Sequence, residues 1–239
     1  MSESSAFPYP YPVRNSDLIK HHKLEKHFEG GYFAQTVSLP SHAPATPTWP
    51  STLPQSPALQ AKGREQAPWG PGSVLLGGPA EQVALKGEED PQIDATIIYY
   101  LLTPDSYRGR MHMNLHSHFH LHHAGRALYT LIRPPRHAGE EPSVHRVILG
   151  PNVLDGEVTQ LFVPGGWWKA SEIPEEDRLL LDSANGEAEM KERIGCLISE
   201  VVVPGWQPEQ HMFIDEDKLK AMWGGKEGWE PYTKYLESK

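Results

Sequence analysis

The 239-residue chain contains one cysteine, Cys196, which leaves no partner for an internal disulfide. That fits a reducing compartment, and the expectation is a cytoplasmic protein. No run approaches the roughly eighteen apolar residues that a membrane-spanning helix needs. The opening Met1-Ser2-Glu3-Ser4-Ser5 lacks the basic-then-apolar order of a signal peptide. Basic residues are scarce: 22 Lys and Arg against 31 Asp and Glu leave a net charge of −9. No basic stripe offsets that charge, which argues against a nucleic-acid partner. No internal repeat is visible.

Turn-forming residues are abundant instead, with 23 prolines and 21 glycines. Together with 38% hydrophobic residues they favour short strands and many turns, hence an all-β fold. The length allows one domain with a real core. Residues 1–14 read as an irregular arm, 15–223 as a single domain, and 224–239 as a tail without assignment. Asn15-Ser16-Asp17 offers caps for a short helix carrying Leu18, Ile19 and Leu24. Glu29-Gly30-Gly31 ends that helix and starts a strand, with Glu29 as a turn and capping residue. The prolines between about 40 and 92 mark an insertion, either a passive surface loop or a lid. Core strands are expected at about 94–103, 108–115, 118–123, 126–133, 143–149, 157–163, 167–171 and 195–203. Residues 174–186 read as loop and 187–193 as a short helix. Asp215 should cap a last helix over 216–223.

Six of the thirteen histidines fall between His112 and His123. His112, Asn114, His116, His118, His120 and His122 share one parity, so in an extended chain they face one way. Met113, Leu115, Phe119 and Leu121 face the other. A row of imidazoles can bind a metal or move protons near neutral pH.

The spacing His112-x-Asn114, His118, Gly125 resembles the first cupin motif, His-x-His, Glu, Gly. Pro164-Gly165-Gly166-Trp167-Trp168-Lys169 resembles the second, with Lys169 in place of its histidine. Further segments resemble one branch, the Cupin_5 group, long filed as a domain of unknown function. They are Leu18-Ile19, Glu29-Gly30-Gly31-Tyr32, Ile97 to Thr103, Leu149-Gly150, Val163 to Trp168 and Val202 to Trp206. The resemblance implies a cupin jelly-roll β-barrel with short N- and C-terminal helices, a site in its lumen and a homodimer. Ser117-His118 replaces the group's Asp-Glu pair, and Glu200 stands where the group has a small residue. The scaffold is thus retained and the lumen chemistry rewritten.

On this alignment an acid–base site uses His112 or His118 as general base. Lys169 is then the cationic partner of a developing oxyanion, and Glu200 faces the lumen beside Lys169 or a histidine. Asn114, His120 and His122 would contact substrate, with one of Tyr99 and Tyr100 and with Trp168 as aromatic walls. The substrate would be a carbonyl-bearing sugar-like or polyketide-like compound and the reaction an isomerisation, cyclisation or lysis without a cofactor. The alternative is a metal-dependent cupin, such as a dioxygenase, with a divalent metal on His112, His118 and His120. Lys169 weighs against it, because an ammonium repels a divalent ion. A third reading is a cupin that holds a small ligand without turning it over.

Overall fold

The computed structural model describes residues 11–40, 93–183 and 187–239, with the side chains of Pro40 and of 182–187 left aside. The expected insertion at 40–92 and most of the N-terminal arm lie outside the described residues.

Strands form where β-branched and aromatic residues recur. In chain order they are β1 Glu25–Lys26, β2 Tyr32–Pro40, β3 Ile93–Leu102, β4 His112–Asn114, β5 Ser117–Gly125 and β6 Ala127–Arg133. There follow β7 Ser143–Leu149, β8 Gln160–Val163, β9 Trp168–Glu172, β10 Cys196–Val203 and β11 His211–Phe213. Neighbouring strands run antiparallel in two sheets, ordered β1-β2-β3-β10-β5-β8 and β11-β4-β9-β6-β7. This is a jelly roll of two sheets; the expected barrel does not close into one ring. No helix among the described residues is long and apolar enough to cross a membrane.

Alternation along the strands separates an inner from an outer face. Tyr100, Tyr129, Leu131, Leu161, Val163 and Ile198 belong to the main core cluster. A second cluster gathers Met111, Ile132, Trp168, Ala170, Ile214, Leu219 and Tyr235. Helix α1, Asn15–His22, forms as expected, but its N-cap is Arg14. Asn15 is buried instead, donating its side-chain amide to the Lys191 and Ile194 carbonyls at 2.9 Å each.

Residues 174–186, expected as loop, contain helix α2, Glu175–Ser183. Its acidic first turn suits the helix dipole, and Asp177 is fully buried against Arg126 at 2.6 Å. Helix α3 spans Glu187–Lys191. Helix α4, Glu216–Met222, is capped by Asp215 as expected, with the Lys218 amide donating to it at 2.8 Å.

The unassigned tail is part of the fold. Its 3-10 turn, Glu230–Tyr235, buries Tyr235, whose hydroxyl donates to Glu172 at 2.6 Å. Arg108 and Lys239 exchange a pair of backbone hydrogen bonds at 2.9 and 3.0 Å.

Candidate active site

Two strands from opposite sheets bring the polar residues together. On β10, Glu200 pairs in register with His120 of β5, and Val202 with His118, so the glutamate and both imidazoles share the inner face. On β9, Lys169 pairs with His112 of β4 and points inward between Trp168 and Ala170, which point out into the second cluster. Lys169 thereby crosses the interior to the other sheet. Its Nζ lies 2.6 Å from Glu200 Oε1 and 3.3 Å from both His118 Nδ1 and His120 Nε2. All four residues are buried.

Hydrogen-bond logic assigns the tautomers. His118 Nδ1 donates to Glu200 Oε1 at 2.6 Å. His120 Nε2 faces the ammonium and accepts, leaving Nδ1–H to meet the Tyr129 hydroxyl oxygen at 3.2 Å. Burial pushes both imidazoles down, Lys169 pushes them further, and His120 falls well below the ordinary histidine value. Burial alone would raise the Glu200 carboxyl; Lys169, His120 and His118 outweigh it and hold the group well below the carboxylate range. The resting cluster is one ammonium, one carboxylate and two neutral imidazoles.

A second polar group adjoins the first. The turn before β2 places Glu29 in the interior through two left-handed glycines, Gly30 at φ +103° and Gly31 at φ +72°. A Cβ on Gly31 would lie 2.8 Å from the Leu101 carbonyl, so no larger residue fits there without a shift. Glu29 Oε1 accepts from His211 Nε2 at 2.7 Å, while Oε2 lies 3.4 Å from His112 Nε2 and 3.5 Å from His27 Nδ1. Burial pushes His112 down to about 3 against the pull of Glu29. Burial opposes ionisation of Glu29, but His112, His211 and His27 bring it down to about 2.

Glu29 and Glu200 line two adjoining cavities. The inner one has room for about one water, roughly 10 Å³, and is edged by His112, His120, Lys169, Tyr100, Tyr129 and Ser171. The outer one measures about 260 Å³. Phe28, Phe33, Ile98, Val202 and Trp206 wall it, and Asn114, Gln35, His27 and Thr96 add polar atoms. That is near the small end of known ligand pockets, which run from about 300 Å³ upward.

Of the residues singled out in the sequence, His112, His120, Lys169, Glu200 and Tyr100 border the inner cavity, and Asn114 borders the outer one. His118 borders neither and stands behind Glu200 as its hydrogen-bond donor. Three expected contact residues lie elsewhere. Tyr99 points outward, its ring 4.5 Å from that of His22. Trp168 faces the second cluster, because Lys169 takes the inward position on β9. His122 Nε2 bonds the Gly125 carbonyl at 2.8 Å, beside a register shift between β5 and β10.

The residues at the cupin ligand positions do not fit a metal between them. His118, His120 and Glu200 lie close enough to share an ion, but the Lys169 ammonium already stands among them. The expected trio is also divided, since His112 belongs to the group with Glu29 and His211. Neither Glu29 nor His211 stands out as a site residue in the sequence, yet the fold brings them together. Glu29 lay within a recognised motif but read as turn chemistry, and His211 stands alone beyond the last long strand.

The family model Cupin_5, described as cupin superfamily (DUF985), matches residues 16–214. An uncharacterized protein of Saccharomyces cerevisiae is 33% identical over 220 residues, covering 91% of this chain and 84% of the yeast one. A hypothetical protein from Leishmania major has a similar structure, with TM-score 0.56 at 20% identity, over 92% of this chain and 97% of that one. A crystal structure of a Shewanella oneidensis protein matches with TM-score 0.55 at 17% identity, over 94% and 96%. At these identities the structural likeness concerns the fold alone.

Proposed function

The chain belongs to the Cupin_5 family of the cupin superfamily, and from that premise we propose that it is an isomerase, cyclase or lyase moving a proton beside a carbonyl group. The substrate is a small sugar-like or polyketide-like molecule seated in the outer cavity with its carbonyl toward Lys169. One observation carries the reading: a buried ammonium held by Glu200 and His120, with His118 bracing the carboxylate, at the floor of an apolar-walled cavity.

Lys169 has three donors, and a substrate carbonyl that accepts one of them gains a cation where enolate charge develops. Glu200 Oε1 is engaged by Lys169 and His118, whereas Oε2 makes no hydrogen bond among the described residues. Oε2 is the acceptor for the proton leaving carbon. Glu200 is a weak base while Lys169 sits against it; a substrate that draws the ammonium toward its own oxygen strengthens that base. His118 holds the carboxylate in place, and His120, anchored by Tyr129, orients the ammonium.

Incubating the protein in D2O with a panel of keto sugars and 1,3-dicarbonyl compounds tests the reading. Protein-dependent deuterium incorporation next to the carbonyl supports it. Binding without exchange for every compound that binds moves the protein to a ligand carrier.

The reading includes a homodimer. Its support is the exposed Phe119–Phe162 pair on the outer face of β5 and β8, with ring centroids 5.0 Å apart.

A further inference from the structure

Glu29 presents a buried charge without a matching cation. Its ion-pair contacts within 4 Å among the described residues are His27, His112 and His211, with no lysine or arginine among them. Lys169 is committed to Glu200. An isolated carboxylate in such a place costs several kcal/mol unless a cation or enough donors meet it. His211 supplies one donor, to Oε1.

At Oε2 no hydrogen bond is made among the described residues: His27 Nδ1 stands 3.5 Å away and has no hydrogen-bond partner. His112 Nδ1 lies 2.9 Å from the Arg110 carbonyl oxygen, which only accepts, so Nδ1 carries the hydrogen. In the neutral ring Nε2 then holds a lone pair, and it faces Glu29 Oε2 at 3.4 Å. Two acceptors thus confront each other in a buried place, and Nε2 has no hydrogen-bond partner among the described residues.

A metal ion resolves the arrangement. With metal–nitrogen and metal–oxygen bonds of about 2.0–2.2 Å, two tetrahedral ligand atoms stand about 3.3–3.5 Å apart, which brackets the observed separation. One ligand atom each from Glu29, His112 and His211 lies within 4.8 Å of the others. Asn114, opposite His211 in the β4–β11 register, has a buried Oδ1 that is likewise unpartnered among the described residues. It borders the same outer cavity as Glu29.

We propose that Glu29, His112 and His211 form a site for a divalent metal of the zinc or cobalt type, open on the side of the outer cavity. Two imidazoles and one carboxylate suit such borderline ions. The ion takes the place of the His211 Nε2 hydrogen, and that ring shifts to its Nδ1–H tautomer. The site shares only His112 with the cupin ligand positions, and it stands whether or not proton transfer is the reaction.

Titrating untagged protein with Co²⁺ and following its visible d–d absorption tests this. One equivalent is expected to bind. Affinity should fall by about a hundredfold or more in Glu29→Gln and in His211→Ala, since even loss of an outer-shell partner costs 10–100-fold. His118→Ala should keep the bound equivalent. Absence of the band in wild type, or a band that survives both ligand substitutions, overturns the site; surviving absorption would come from surface imidazoles such as His123. If the variants do not fold, wild type alone decides. Paramagnetic broadening by Co²⁺ centred on Glu29, His112 and His211 supports the site, and broadening centred elsewhere overturns it.

Discussion

Lys169 Nζ and Glu200 Oε1 meet 2.6 Å apart across the interior, one from each sheet. The pair ties the sheets together at the point where the two cavities adjoin, and it determines what the surrounding imidazoles can be. With an ammonium among them, His118 and His120 stay neutral and serve as hydrogen-bonding supports.

Breaking that pair should be costly. Lys169→Met keeps the stem and leaves Glu200 buried without its cation, so a loss of about 3–5 kcal/mol is expected. Glu200→Gln in the same background should recover part of it, because no buried charge then remains. Urea unfolding of the single and double variants gives the coupling. Simple additivity of the two losses would mean that the pair contributes no coupling.

Stability should fall earlier on acidification than carboxylates alone would cause. His112 has a folded pKa of about 3, below its unfolded value of about 6.5. The unfolded chain therefore takes up a proton first, and stability is lost as pH falls from about 6.5 toward 3, on the order of 4–5 kcal/mol in full. His118, His120 and His27 shift the same way. Glu29, depressed to about 2, adds a loss below about pH 4.5. Urea unfolding at pH 7.5, 6 and 5 should show a steady decline, and an unchanged free energy across that range would contradict the assignment of neutral buried imidazoles.

Lys169→His should create what Lys169 excludes. Removing the ammonium and adding a third imidazole leaves His118, His120 and Glu200 free to share an ion. Calorimetric titration with Zn²⁺ or Ni²⁺ should show one more bound equivalent than wild type. Equal stoichiometry and affinity in the two proteins would contradict the view that Lys169 blocks this position.

The dimer carries its own check. Phe119 and Phe162 are 44% and 51% exposed on one outer face, and a second copy covering them is the expected state. Light scattering at micromolar concentration should give twice the chain mass, and Phe119→Lys should halve it. A monomer mass for wild type contradicts the dimer.

Much of the architecture was legible because strand alternation is a local signal. The inward parity of His112, Asn114, His118 and His120 and the placement of β10 around Glu200 follow from it. Alternation did not say which of Tyr99 and Tyr100 turns inward, since both are aromatic neighbours in a strand apolar on both faces. Trp168 was misplaced for a related reason: an apolar outer face became core only because α4 and the C-terminal turn cover it. Glu29 and His211 join the site through contacts far apart in sequence, and no local pattern marks two residues that meet only once β4 and β11 pair and the Gly30–Gly31 turn folds in. Helix α2 is not legible as a helix in the sequence, because its acidic first turn masks the Leu179-Leu180-Leu181 run.

The most direct test of the acid–base account is solvent-deuterium exchange by Lys169→Met, measured on whichever carbonyl compound the wild type labels, with melting temperature as the folding control. The account predicts a folded protein whose exchange rate falls by about a hundredfold or more, the usual scale for one electrostatic donor to a developing oxyanion. Exchange at the wild-type rate in folded Lys169→Met would contradict it.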